Sequence, residues 1–105
     1  MSTKVLIRNA GDNIARRETF DAGSLRGERW PVGPYLGRLP DDWVRAYRAD
    51  ENNSGIEYLV SSYGTPIGWV TGTGRVVTPD TWYSMTTSRH QGIARRNLAT
   101  HSPWT

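Results

Sequence analysis

The sequence contains no cysteine, which excludes disulfide bonds, thiolate metal sites and thiol nucleophiles. It contains no apolar run close to the roughly 18 residues that a membrane-spanning helix requires, so we expect no membrane association. The segment Met1 to Ala10 lacks the long hydrophobic stretch of a signal peptide. Together these absences predict a cytoplasmic protein.

Hydrophobic residues are scarce for a globular protein. They make up 36% of the 105 residues, whereas the chain contains 11 glycines and 6 prolines. A chain of this length forms one domain around one core. A thin core predicts long loops, and it is compatible with stabilisation by homodimerisation.

Lysine is nearly absent, and acidic residues are missing from the C-terminal part of the chain. Twelve arginines accompany a single lysine, Lys4, and no acidic residue follows Asp80. Arginine is favoured where planar contacts to phosphate are needed, but a GC-rich genome also replaces lysine with arginine throughout. Because both explanations stay open, the arginine bias alone does not identify a nucleic-acid-binding protein.

The first 37 residues are predicted to form a loop-rich arm. Lys4 to Arg8 is a short apolar run that could form an edge strand. Asp12 or Asn13 could cap a short helix that ends near Glu18. Phe20 to Gly37 contains so many glycines and prolines that no regular structure is expected there.

The remainder of the chain predicts an α+β fold. Pro40 to Arg48 forms the first expected helix, because a proline and two acidic residues suit a helix start. After Gly55 the hydrophobic pattern alternates, which indicates an antiparallel meander of four short strands. The predicted strands are residues 56–62, 67–71, 75–78 and 82–85. Ser88 with Gln91 fits a capping box, which predicts a second helix from Arg89 to Thr100.

Two linked segments resemble those of a known family. Ser62 to Trp69 (SYGTPIGW) and Tyr83 to Gln91 (YSMTTSRHQ) are similar to the SY-x-TPI-x-W and YS-x-TTS-x-HQ segments of small bacteriophage proteins, most common in phages of actinobacteria. Three upstream segments resemble the same family: residues 8–10, 20–27 and 37–40. The family is of unknown function, so the resemblance implies a phage origin and expression in the host cytoplasm, and it supplies no catalytic residues. The chain departs from the pattern at Gly64 and Gly68, which predicts looser strand packing there.

The hydroxyl groups around His90 invite comparison with a nucleophile–base pair. Residues at a helix start usually direct their hydroxyls to backbone amides, however, and no nearby carboxylate would orient His90. We therefore predict no catalytic residues and no enzyme. A helix start beside Arg89 and His90 could instead hold an anion. His90 and His101 alone do not form a metal site, and no cofactor is expected.

A nucleic-acid site is one interpretation of the basic and aromatic residues. Arg89 and Arg96 are seven residues apart, so one helix face could follow a phosphate backbone. Trp69, Trp82 and Tyr83 could stack on bases. The alternative is that the aromatic residues form the core and the arginines are solvated. The candidate nucleic-acid or anion-binding residues are Ser88, Arg89, His90, Arg95, Arg96, Trp69 and Trp82.

Two functional hypotheses follow from the sequence. One is a small non-enzymatic regulatory protein that binds nucleic acid. The other is an effector that binds a host protein and inhibits or redirects it, with the aromatic arm and Trp104 as anchors. A homodimer is compatible with both.

Overall fold

The computed structural model describes residues 3–81 and 83–100. The helices are α1 (Ile7–Ala15), α2 (Asp41–Asn53) and α3 (Met85–Thr100). The strands are β1 (Thr3–Lys4), β2 (Phe20–Asp21), β3 (Leu25–Arg29), β4 (Ile56–Ser62), β5 (Thr65–Thr71) and β6 (Val76–Val77). The predicted α+β class is confirmed.

The strands form one sheet in the order β1-β2-β3-β4-β5-β6. β1 pairs in parallel with β2, to which α1 connects it, and the five strands from β2 to β6 form an antiparallel meander. One core cluster joins this sheet to α1 and α3, and a second joins it to α2. The clusters are separate, so helices cover both faces of the central strands.

Burial on both faces explains the sequence of the two central strands. All seven residues of β5 are buried, as expected for a strand covered on both sides. In β4, Tyr58 and Val60 pack in the cluster with α1 and α3, whereas Leu59 packs in the cluster with α2. Ile56 joins the α2 cluster as well, because a register shift between Ile56 and Tyr58 interrupts the alternation.

The β4–β5 hairpin closes through Tyr63 and Gly64. Ser62 pairs with Thr65, and the two residues between them have φ angles of 50° and 81°. Positive φ at both positions defines the type I′ turn, which matches the twist of paired strands. Gly64 adopts this conformation without strain, whereas Tyr63 carries a steric cost of roughly 1–2 kcal/mol.

Gly68 tightens the packing of α3 on the sheet, so the predicted loosening at this position is wrong. A Cβ atom built at Gly68 would lie 2.8 Å from Leu98 Cδ1. Real Cβ atoms do not approach a carbon so closely, so only glycine lets Leu98 reach β5 without a shift. Leu98 is 1% exposed as a result.

The N-terminal part contains more regular structure than the sequence predicted. The first helix begins at Ile7 and not after Asp12, so the predicted strand over Lys4 to Arg8 is wrong beyond its first residue. The segment predicted to lack regular structure contains β2 and β3. The glycine-containing β3 is held by pairing with β4 along its whole length, which a local pattern cannot reveal.

The C-terminal part contains one strand fewer than predicted. Tyr83 and Ser84 are irregular and Met85 begins α3, so the predicted strand over residues 82–85 is wrong, and Trp82 lies outside the described residues. The meander is completed on its other side by β3. The first predicted helix is present as α2 and extends five residues beyond Arg48, to Asn53.

Candidate functional site

The helix α3 has one buried side and one arginine-bearing side. Its buried residues recur every three or four positions, which places them on one side of a helix. They are Thr87, His90, Gln91, Ala94 and Leu98. Arg89, Arg95 and Arg96 are exposed. We call these three residues the α3 arginine surface; Arg89 and Arg96, seven apart, lie on the same line along the helix.

Within the described residues, the arginines of the α3 arginine surface lack ion pairs, as do Arg8, Arg17, Arg29 and Arg38, but only α3 carries three such arginines on one helix. Five arginines elsewhere each form an ion pair with a carboxylate: Arg16, Arg26, Arg45, Arg48 and Arg75. Among the residues that the structure describes, no carboxylate forms an ion pair with Arg89, Arg95 or Arg96. The positive charge on this side of α3 is therefore available to an external anion.

The amino-terminal cap of α3 is Ser84, so the predicted capping box of Ser88 and Gln91 is wrong. Ser84 Oγ accepts a hydrogen bond from the Thr87 backbone N–H at 3.1 Å. Gln91 instead lies one turn inside the helix, where its Nε2 donates to the carbonyl of Thr81 at 2.7 Å. Gln91 thus anchors the segment that leads into α3. Ser88 is only half-buried and lines a shallow depression of about 190 Å³ with Asp80 and Arg95.

His90 belongs to an internal hydrogen-bond network. It is 3% exposed, and its Nδ1 lies 2.7 Å from Ser62 Oγ. The Tyr63 ring stacks on the imidazole, with centroids 6.0 Å apart. Burial lowers the pKa of His90 from its usual 6.5, because desolvation disfavours the imidazolium. A neutral, buried His90 does not act as a surface cation, so its predicted role as an exposed anion ligand is wrong.

The Ser62–His90 contact has the geometry of half of a nucleophile–base pair. Ser62 is only 1% exposed, which leaves little access for a substrate. Ser62 Oγ also lies 3.5 Å from Thr87 Oγ1. Thr87 Oγ1 is in turn hydrogen-bonded to Ser84 Oγ at 3.2 Å. The arrangement is thus a chain of hydroxyls that ends at His90.

A pocket of about 120 Å³ lies beside this chain. Its lining residues are Arg38, Ser62, Tyr63, Thr65, Tyr83, Ser84 and Thr87, and we call it the hydroxyl pocket. The two segments that carry the family resemblance meet here, because one supplies Ser62 and the other supplies Thr87. Arg38 is tied to the pocket through its backbone N–H, which donates to Thr65 Oγ1 at 2.9 Å.

Trp69 is a core residue, so its predicted role in base stacking is wrong. It is 0% exposed and makes edge contacts with Tyr47 and Trp43, with centroids 5.1 Å and 6.3 Å away. Its Nε1 donates to Asp50 Oδ2 at 2.9 Å, and Arg75 pairs with the same carboxylate. Tyr83 is not on the sheet, so it provides no stacking platform there, and Trp82 is outside the described part of the chain.

The loop between β3 and α2 exposes several large apolar side chains. Val32 is 94% exposed, Tyr35 78% and Trp30 53%. Pro34 and Tyr35 border a groove of about 230 Å³ over β3 and β4. This loop is part of the arm that the sequence suggested as a set of anchors.

The described residues offer no site for a metal ion or a membrane span. No group of three or more His, Asp or Glu side chains converges within residues 3–81 and 83–100. None of the helices in this part of the chain combines the length and apolarity that crossing a bilayer would need.

Sequence reasoning missed Arg38, Ser62 and Asp50. Arg38 and Ser62 are distant from α3 in sequence, and only the fold brings them beside Thr87. Asp50 lies beyond the predicted helix end at Arg48, whereas it is 8% exposed and accepts a hydrogen bond from Trp69. A weak signal existed for Asp50, because it follows Trp43 and Tyr47 at helical spacing.

The fold and site define a small α+β domain whose sheet carries helices on both faces and whose last helix presents arginines without carboxylate partners among the described residues. The chain belongs to a family of unknown function, DUF8033, whose model matches residues 36–100. That match includes α2, β4, β5, β6 and α3. No curated protein and no solved structure matches the chain.

Proposed function

We propose that this chain is a non-enzymatic binding protein that contacts nucleic acid through the α3 arginine surface. The observation that carries the proposal is that three exposed arginines on one helix, Arg89, Arg95 and Arg96, have no carboxylate partner within the described residues, while five arginines elsewhere are paired. When arginines neutralise phosphates, the counterions condensed on the nucleic acid are released, and this release drives association.

The geometry favours a double-stranded nucleic acid. Arg89 and Arg96 lie roughly 10 Å apart along the helix axis, at about 1.5 Å per residue, which spans about three base-pair steps of ~3.4 Å. Single strands are bound by stacking of bases on aromatic side chains, and Trp69, which the sequence predicted for this role, is buried. The contacts would reach phosphates, so we expect little sequence preference.

We further propose that the protein is encoded by a bacteriophage and acts in the host cytoplasm. The similarity of the segments 62–69 and 83–91 to small phage proteins supports this origin. The absence of a carboxylate contact to His90 among the described residues, together with the burial of Ser62, supports a non-enzymatic role.

The charge-neutralising variant R89Q/R95Q/R96Q tests nucleic-acid binding. Fluorescence anisotropy with a labelled DNA duplex at low salt should show at least a tenfold increase in Kd. The slope of log K against log salt should become shallower by roughly 0.9 for each phosphate that the variant no longer neutralises. The control R26Q/R45Q/R48Q removes the same charge from ion-paired arginines and should bind nearly as wild type does.

Two results would contradict the proposal. The first is an absence of wild-type binding at low salt. The second is an equal loss of affinity in the R26Q/R45Q/R48Q control, since that would mean that only net charge matters.

A host-protein partner is the second candidate, favoured by the exposed side chains of Trp30, Val32 and Tyr35. Large apolar and aromatic residues are enriched among the anchors of protein interfaces. W30A/Y35A should abolish the capture of one defined host protein that wild type and R89Q/R95Q/R96Q both retain. If W30A/Y35A still captured the host protein, this surface would not be its binding site.

A further inference from the structure

The described residues that line the hydroxyl pocket all carry hydrogen-bonding side chains. Six of these seven residues carry a hydroxyl group, and the seventh, Arg38, carries a guanidinium. None of the seven is a carboxylate. Hydroxyls and guanidinium groups can all donate hydrogen bonds, so the pocket is suited to a ligand that is rich in acceptor oxygens.

The Tyr83 hydroxyl is an unused group in this pocket. Its oxygen is buried and has no hydrogen-bond partner among residues 3–81 and 83–100, a state that costs about 1–3 kcal/mol. Burial raises the pKa of Tyr83, and the positive charge of Arg38 acts in the opposite direction. The phenol is therefore a neutral donor that lies within the electrostatic reach of the Arg38 guanidinium.

The hydroxyl chain can supply further donors. Ser84, Thr87 and Ser62 are linked by contacts of 3.2 Å and 3.5 Å, and the chain ends on His90 Nδ1. If Nδ1 carries the hydrogen, His90 donates to Ser62, and the hydroxyl protons can point along the chain towards the pocket. If Nδ1 is bare, Ser62 donates to His90 and the protons point the other way. The lining can therefore reorient its hydrogens to suit a bound anion.

We propose that the hydroxyl pocket binds a phosphate group, with Arg38 as its charged ligand and Tyr83 as a hydrogen-bond donor. A phosphate has acceptor oxygens in several directions, which matches a guanidinium and several hydroxyls arranged around one space. The amino-terminal end of α3 adds partial positive charge at Ser84. This site is separate from the α3 arginine surface and does not depend on the nucleic-acid proposal.

The direct test is a calorimetric titration of inorganic phosphate into the full chain at constant ionic strength. R38Q should weaken phosphate binding at least tenfold. R45Q, which removes an exposed arginine on α2, should leave phosphate binding unchanged. Absence of phosphate binding to the wild type, or equal binding by R38Q and wild type, would overturn the proposal.

Y83F separates ligand binding from folding. Removing a buried hydroxyl that has no partner within the described part of the chain should leave the Tm of the free protein unchanged or raise it. The same substitution should weaken phosphate binding several-fold. If Y83F binds phosphate as tightly as the wild type, Tyr83 is not a ligand and this part of the proposal is wrong.

Two further arms identify the source of the phosphate. A 5′-phosphorylated oligonucleotide that binds more tightly than its 5′-hydroxyl counterpart, with the difference abolished in R38Q, would assign the site to a nucleic-acid end. Equal binding of the two, with inorganic phosphate still bound, would assign it to a small phosphorylated molecule. R89Q/R95Q/R96Q should retain phosphate binding, so the two proposals can fail independently.

Discussion

At the residue scale, buried polar side chains organise this small core. Asp50 joins the Trp69 indole to Arg75 on one face of the sheet, and His90 joins β4 to α3 through Ser62 on the other. Arg17 is 5% exposed, and its guanidinium approaches the carbonyls of Ile14 and Leu98, both at 3.5 Å. Each of these groups needs its partner, because an unpaired buried polar group is costly.

His90 makes stability depend on pH. Its pKa in the folded protein is lowered below 6.5 by desolvation, so the unfolded chain binds the proton more readily. The free energy of unfolding should therefore fall as the pH drops below about 6.5, by up to about 1.4 kcal/mol per pH unit for one proton. Urea unfolding between pH 5.5 and 7.5 measures this slope. H90Q should flatten it, and an identical slope in H90Q would assign the titration to another group.

At the element scale, the start of α3 is decided by which serine supplies the cap. Two serines in this part of the sequence, Ser84 and Ser88, could cap the helix. Only Ser84 places its oxygen on a free backbone N–H, that of Thr87. The helix consequently starts four residues before the predicted Arg89, which turns His90 and Gln91 into buried residues of its second turn.

Substitution of each serine distinguishes the two caps. S84A should lower the free energy of unfolding by about 1 kcal/mol, because it removes the cap. S88A should change it by less than about 0.5 kcal/mol, since Ser88 is half-buried and lies inside the helix. Chemical denaturation of both variants measures the difference. A larger destabilisation by S88A than by S84A would support the predicted capping box instead.

At the scale of the whole molecule, the N-terminal part belongs to the core although the family match begins at residue 36. It supplies four of the ten buried residues in the cluster with α1 and α3: Ala10, Ile14, Phe20 and Leu25. β3 also covers the edge of β4. Without this part, the face of the sheet that α3 covers would lose the packing of α1 and β2.

The fragment 36–105 should therefore fail to fold on its own. Circular dichroism and thermal unfolding should show no cooperative transition, whereas the full chain should unfold cooperatively. F20A in the full chain should cost about 3–5 kcal/mol, and V32A, at a highly exposed position, should cost little. A cooperative transition in the fragment would show that residues 36–100 form an independent core.

The sequence predicted the elements with strong local signals. Pro40 with its acidic neighbours indicated α2, and the alternation after Gly55 indicated β4 and β5. It failed for β3, because the residues of Leu25–Arg29 are mostly polar or glycine and form a strand only through pairing with β4. The sequence-based prediction that Trp69 stacks on bases also failed, because tryptophan is equally suited to a core and to a binding surface.

What the sequence determined by itself was the α+β class, the meander around β4 and β5, and the excess of basic over acidic residues at the C-terminal end. These features depend on composition and on short-range periodicity. The tertiary structure alone decided that Arg75 pairs with Asp50 and that Arg38, Ser62 and Tyr83 line one pocket. The physical reason is that the residues of the hydroxyl pocket, like Asp50 and Arg75, lie far apart in the chain, and their proximity follows from how the helices pack on the sheet.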